Sequence, residues 1–136
     1  MIGVVVVTHG QLASELVNAA EMIVGDLPQF AAVSIGWHDD VNDAREESAQ
    51  AISRMSGPSG VLILTDMFGG TPSNLGITFL ETNRVEVITG VNLPMLIKLA
   101  GLRSSSDLLG VAREMREHGR HAIWVASDLM RADTDG

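Results

Sequence analysis

The chain has 136 residues, of which 46% are hydrophobic and 19% charged, the profile of a folded globular protein. Seventeen Asp and Glu against nine Lys and Arg give a net charge of −8, which disfavours nucleic acid as a partner because phosphate backbones need a basic face. There is no cysteine, so disulfides and thiol chemistry are excluded. No apolar run near the start is long enough to span a membrane, and no basic segment precedes it, so we expect a cytoplasmic protein without membrane insertion.

Apolar, β-branched runs alternate with segments of helical period along the chain. We predict strands at 2–7, 30–35, 60–65, 84–89 and 121–127. A helix is predicted after each of the first three strands, and two helices in succession are predicted between the fourth and the fifth. The expected starts and stops are Leu12 to Gly25, Val41 to Gly57, a start near Pro72, a short helix around Pro94, and a last helix from a cap at Ser106 or Asp107 to Gly119.

This alternation predicts an α/β protein with a doubly wound, mostly parallel sheet and helices on both faces. We expect a single domain over residues 1–130 and a polar, frayed C-terminal tail over 131–136. The direction of the fifth strand is not determined by the pattern, because two helices precede it.

Two polar residues follow directly on buried strands. His9 comes after the first strand and Asp66 after the third. Open α/β sheets bind ligands beyond the carboxyl ends of their strands, where the strand order reverses. In a sheet of order 2-1-3-4 those two strands are neighbours, so the two side chains are expected to meet.

Such a pair has a chemical use. A carboxylate that accepts the Nδ1–H of an imidazole sets its tautomer and leaves Nε2 as a nucleophile. Backbone N–H groups at a helix start and in a glycine-rich turn are suitable donors to phosphoryl oxygens. The predicted phosphate-binding residues are Gly10, Gly69, Gly70, Thr71 and Ser73, the last two also through their hydroxyls.

Purely structural roles could also explain the residues assigned to phosphate binding. His9 alone is equally typical of a helix-capping or core histidine, and the stretch from Asp66 to Pro72 could be a structural turn before a helix. No nucleotide-binding motif of the G-x-x-x-x-G-K-[ST] or G-x-G-x-x-G type occurs.

Four motifs together resemble the enzyme IIA component of the mannose family of the bacterial phosphoenolpyruvate-dependent sugar phosphotransferase system (PTS). They are “THG”, “AEMIVG”, “DMFGGTPSN” and “GVNLPML”, and the resemblance extends over about the whole chain in element order.

The resemblance implies a phosphotransferase that acts as a phosphocarrier in sugar transport. His9 would take a phosphoryl group from the carrier protein HPr, pass it to an enzyme IIB component, and be oriented by Asp66. It implies a sheet of order 2-1-3-4 with a fifth, antiparallel strand at 121–127 that is exchanged in a homodimer, with Trp124 at the interface. No cofactor or metal is expected, because the phosphoryl group arrives activated on another histidine.

Alternatives remain open. A regulatory PTS protein, whose phosphorylation state controls partner binding without sugar transport, has the same motifs. The dihydroxyacetone kinase phosphocarrier subunit shares the histidine but not “GGTPSN” and “NLPML”, and a flavodoxin-like ligand-binding module would not need His9. The chain ends soon after the predicted fifth strand, so we expect the acceptor to be a separate protein, within or outside a membrane permease complex.

Two further clusters are weighed. The stretch “WHDD” at 37–40 offers His38 and two carboxylates, but Asp39 or Asp40 is better explained as a cap for the next helix than as a metal ligand. Met67 and Phe68, with Met22, are explained equally well by loop packing and by an apolar docking patch for protein partners around His9.

Overall fold

The computed structural model describes residues 1–37 and 39–135 of the chain. Within them a four-stranded sheet has the order β2-β1-β3-β4. The strands are β1 (Gly3–His9), β2 (Phe30–Ile35), β3 (Val61–Thr65) and β4 (Val85–Thr89), and all three pairings are parallel. The predicted strand order 2-1-3-4 is therefore confirmed.

The two central strands explain the continuous apolar runs in the sequence. β1 pairs with β2 on one side and with β3 on the other, and every residue from Gly3 to Thr8 is buried, as are all five residues of β3. A strand covered on both faces has no solvent side, so it carries no polar alternation.

Six helices are described. They are α1 (Leu12–Val24), α2 (Val41–Met55), α3 (Thr71–Thr78), α4 (Leu93–Ala100), α5 (Leu108–His121) and α6 (Ala126–Asp135). The side chains of α1, α4 and α5 pack in one apolar cluster with alternate sheet residues, and those of α2 and α3 pack in a second cluster with the others. The helices therefore cover both faces of the sheet, as predicted for a doubly wound fold.

α5 does not end at Gly119, where a stop was predicted. It continues to His121, and Gly119 is buried inside the helix. A Cβ at Gly119 would lie 2.7 Å from the Met95 Cε of α4, so this glycine is needed for close packing between the two helices rather than for a turn.

The predicted fifth strand is absent from the described single chain. His121 ends α5, residues 123–125 lie outside regular elements, and α6 begins at Ala126. A strand exists only where its backbone pairs with a neighbour, and β4, whose one strand partner is β3, is not paired with these residues. The exchange of this segment within a dimer stays a prediction.

The end of the chain is helical where a polar tail was predicted. Residues 131–135 continue α6, in which Arg131 pairs with Asp128 one turn earlier. Such a pair favours helix over the expected frayed conformation. Gly136 lies outside the described residues. In the part of the chain described, no helix is both long and apolar enough to cross a lipid bilayer.

Candidate functional site

His9 and Asp66 lie side by side at the carboxyl edge of the sheet. His9 is the last residue of β1, and Asp66 follows the last residue of the adjacent strand β3. The His9 Nδ1 lies 2.8 Å from Asp66 Oδ2, although 57 positions separate the two residues in sequence. The His9 backbone N–H also donates to Asp66 Oδ2, at 3.0 Å. One carboxylate oxygen therefore holds both the main chain and the ring of His9.

The surroundings of Asp66 favour its charged form. Burial acts to raise the pKa of this carboxyl, but hydrogen bonds from the His9 ring and backbone, the charge of His9 and the Met67 N–H act in the other direction. The net result is a pKa below its ordinary value. An ionised carboxylate only accepts hydrogen bonds, so His9 Nδ1 is the donor in this pair. In the neutral form of the imidazole the lone pair then lies on Nε2.

The side chain of His9 is partly open to solvent. Its side chain is 52% exposed, whereas that of Asp66 is 14% exposed. The imidazole can therefore meet another protein, while its partner carboxylate stays behind it. This combination suits a nucleophile that must be reached from outside.

The loop from Gly69 to Gly70 lies against the ring. A Cβ on Gly70 would be 2.9 Å from His9 Cε1 and 3.2 Å from Nε2, so only glycine allows this approach. Gly69 has a φ of +82°, in the left-handed region that glycine adopts without strain. The structure therefore explains why glycine occupies both positions, Gly69 for its backbone conformation and Gly70 for its approach to the His9 ring.

The five predicted phosphate-binding residues occupy different positions. The Gly10 N–H donates to the Ile35 carbonyl at 2.8 Å, and the Gly69 N–H donates to Ser73 Oγ at 2.9 Å. Ser73 itself is fully buried. By contrast, the N–H groups of Gly70 and Thr71 make no protein hydrogen bond within the residues described. These two amides, at the start of α3, are therefore available to donate to an acceptor outside the chain.

Thr8 was missed from the sequence. Its side chain is fully buried at the end of β1. Its Oγ1 accepts from the Ala13 N–H at 2.6 Å and donates to the His9 carbonyl at 3.1 Å, so it satisfies a first-turn N–H of α1 and fastens the His9–Gly10 turn to the helix. Gln11, not Thr8, occupies the cap position of α1, so no local sequence pattern marked this contact.

The “WHDD” stretch is partly described. Asp40 is the cap of α2, accepting from the Asn42 N–H at 2.7 Å, and Asp39 accepts from the Gly36 N–H, so the capping interpretation is confirmed for Asp40. His38 lies outside the described residues. Elsewhere, among residues 1–37 and 39–135, no group of three His, Cys, Asp or Glu side chains is arranged to hold a metal ion.

The apolar residues near His9 are on the surface. Phe68 is 73% exposed and Met67 52%. Met22, 88% exposed, lies in the last turn of α1, about 15 Å along the helix from its start beside His9, so it is not part of this patch. Large apolar side chains next to Asp66 are therefore not packed into the loop. Their exposure favours the docking interpretation over loop packing.

Comparison with known proteins agrees with this architecture. The family described as “PTS system fructose IIA component” matches residues 3–115. The fructose-specific EIIA component of Bacillus subtilis is 30% identical over 129 residues, which cover 94% of this chain and 88% of that protein. The mannose-specific EIIAB component of Escherichia coli is 31% identical over 132 residues, which cover 90% of this chain but only 39% of that longer protein.

A solved structure supports the same assignment. The mannose/sorbose-specific IIA subunit from Enterococcus faecalis matches with a TM-score of 0.81 and 27% identity, over 91% of this chain and 93% of that one. The chain belongs to the mannose-type EIIA family of the phosphotransferase system.

Proposed function

We propose that this chain is a phosphocarrier that accepts a phosphoryl group from phospho-HPr on Nε2 of His9 and passes it to an enzyme IIB component during sugar uptake. The observation that carries the proposal is the 2.8 Å contact between His9 Nδ1 and Asp66 beside an imidazole that is 52% exposed. Its relatives are named as EIIA components specific for fructose and sorbose and as an EIIAB component specific for mannose. The sugar is not touched by this site.

The step is a displacement at phosphorus. The Nε2 lone pair of His9 forms a bond to the phosphorus of the donor's phosphohistidine, and the donor's P–N bond breaks with its electron pair returning to the donor ring. The Nδ1 proton stays on His9, so the phosphorylated ring carries positive charge that the Asp66 carboxylate offsets. In the second transfer the Nε2–P bond breaks, and its electron pair returns to Nε2 as the acceptor's nucleophile binds phosphorus.

Backbone donors complete the mechanism. The phosphoryl oxygens carry negative charge throughout the transfer, and the Gly70 and Thr71 amides at the start of α3 would donate to them. The Thr71 hydroxyl adds a donor at the same place. Gly10, with its N–H engaged by Ile35, contributes through the shape of the turn after His9.

We also propose a cytoplasmic homodimer in which residues 121–127 of one copy pair with β4 of the other. Three features support it. β4 is the last strand of the described sheet, and a groove of about 430 Å³ runs along it against α5. Ile123, Trp124 and Val125 expose 75%, 60% and 65% of their surfaces, more than a segment of this composition keeps in a completed fold.

The phosphocarrier proposal is tested by incubating the chain with phosphoenolpyruvate, enzyme I and HPr and measuring intact mass. We expect a gain of one phosphoryl mass that is lost in acid and does not appear in His9→Ala. His118→Ala is the matched control, because it removes a half-buried histidine of α5 that lies outside the segment proposed to exchange and should be phosphorylated normally. Phosphorylation of His9→Ala to the wild-type extent would contradict the proposal.

A further inference from the structure

Ser73 is a buried serine whose hydroxyl bonds to the loop before α3 rather than facing solvent. It lies in the first turn of α3 with no exposed surface. Its Oγ accepts from the Gly69 N–H at 2.9 Å and donates to the Gly70 carbonyl at 3.3 Å. Both bonds reach back to the loop that precedes the helix. The hydroxyl is thus engaged as donor and as acceptor and is closed off from any ligand outside.

The loop that Ser73 holds is the one against the imidazole. Gly70 approaches the Cε1 and Nε2 edge of His9 so closely that a Cβ there would lie 2.9 Å and 3.2 Å from those atoms. The Gly70 carbonyl is additionally held by the Asn74 N–H at 2.9 Å. The position of this peptide therefore determines the space beside the reactive nitrogen.

The hydrogen bonds of Ser73 also determine which backbone N–H groups of the loop remain available as donors. With the Gly69 N–H directed to Ser73, the next two N–H groups, of Gly70 and Thr71, remain without a protein acceptor in the described chain. Donors held in place before the reaction stabilise developing charge without a reorganisation cost. If the loop were loose, the same amides would have to be ordered during each transfer.

We propose that Ser73 is a positioning residue for phosphoryl transfer, acting through the Gly69–Gly70 loop rather than by contact with the phosphoryl group. Its hydroxyl holds the loop on the His9 ring and so presents the Gly70 and Thr71 amides to the phosphoryl oxygens. This inference rests on the proposed function of His9, and it replaces the direct phosphate-binding role that the sequence suggested for Ser73.

The test is the phosphoryl-transfer equilibrium between HPr and this chain, followed with labelled phosphate. Ser73→Ala removes both bonds to the loop, and we expect the equilibrium constant to shift about tenfold towards phospho-HPr, the size of one lost hydrogen bond. This constant compares phosphorylated and unphosphorylated forms of the folded protein, so a loss of folding stability alone does not change it.

Ser48→Ala is the matched control. Ser48 is a buried helical serine of α2, 2% exposed, and its Oγ has no hydrogen-bond partner in the described structure. Its replacement should leave the equilibrium constant within about twofold of wild type. A shift as large as that of Ser73→Ala would overturn the proposal, because it would show a general effect of removing buried hydroxyls.

Gly70→Ala examines the same loop from the side of the ring and keeps the test decisive if Ser73→Ala does not fold. The added methyl would crowd His9 Cε1 and Nε2, so the loop or the ring must move, and we expect an equally large or larger change in the equilibrium constant. A wild-type equilibrium constant in either folded variant would overturn the placement role. Failure of the wild-type chain to take up phosphate would instead overturn the proposed function.

Discussion

The carboxyl edge of the sheet around His9 and the segment after α5 differ in how their side chains are engaged. Around His9, each polar contact is made within one chain: Asp66 holds His9, Thr8 joins β1 to α1, and Ser73 holds the glycine loop. At residues 123–125, three large apolar side chains are exposed next to an open sheet edge. The first region is held by internal hydrogen bonds, whereas the second exposes apolar side chains.

From this difference we expect the geometry of the His9 site to be independent of dimer formation, and the burial of residues 123–125 to depend on it. A site held by internal hydrogen bonds keeps its geometry whether or not a second copy is present. Exposure of an apolar segment of about one strand's length to water raises the free energy, and burial of the segment lowers it. We therefore expect chemistry at His9 and dimer formation to respond to different substitutions.

The largest expected effect is on assembly. Trp124→Asp should raise the dimer dissociation constant about a thousandfold, because each of two exchanged segments loses about 2 kcal/mol of apolar burial. Analytical ultracentrifugation over a concentration series measures this. Phosphorylation of His9 should persist in the variant.

Trp37→Asp is the control for that experiment. Trp37 is 94% exposed and follows β2, at the edge of the sheet opposite β4, so its replacement should leave the dimer intact. A Trp124→Asp protein that dimerises like wild type would remove the C-terminal segment from the interface.

The next effect concerns the site itself. Asp66→Asn should slow phosphorylation by phospho-HPr about a hundredfold, because the neutral amide no longer stabilises positive charge on the imidazole. Rapid-quench measurement of the transfer rate tests this, and the dimer should be unaffected. Asp26→Asn, which removes the same charge from an exposed loop between α1 and β2, should transfer at the wild-type rate. Equal rates for the two variants would refute the role of Asp66.

The smallest expected effect is on the docking of HPr to the surface near His9. Phe68→Ala should slow transfer from HPr about fivefold, through weaker docking, since transient interfaces depend on a few exposed apolar side chains. The rate should be measured as a function of HPr concentration, where the change is expected in the apparent affinity. Leu80→Ala, 49% exposed beyond the end of α3, is the control, and unchanged kinetics in Phe68→Ala would exclude the docking patch.

Much of the fold could be predicted because its signals are local. β1 and β3 are runs of apolar, mostly β-branched residues, and they form strands wherever two faces are covered. Pro72 and Pro94 mark helix starts, and Asn92 and Asp107 cap α4 and α5. The pairing of His9 with Asp66 followed from strand order, since neighbouring parallel strands end at one edge.

Other features depended on residues distant in sequence. Gly119 has the type of a helix stop, and only its contact with Met95 on α4 explains why α5 runs through it. Thr8 and Ser73 have hydroxyls whose partners depend on how two loops fold, so sequence alone could not separate a binding role from a supporting one.

The sequence by itself determined the alternating elements and the class of fold, because burial and helix capping act over a few neighbouring positions. That His9 and Asp66 meet depended on the strand order, which the folded sheet decides. The tertiary structure alone decided which backbone amides are engaged and which remain available, and it left residues 123–125 without a strand partner. Hydrogen-bond donors and sheet edges are assigned by what lies across from them in space, and that is a property of the folded chain rather than of any short stretch of it.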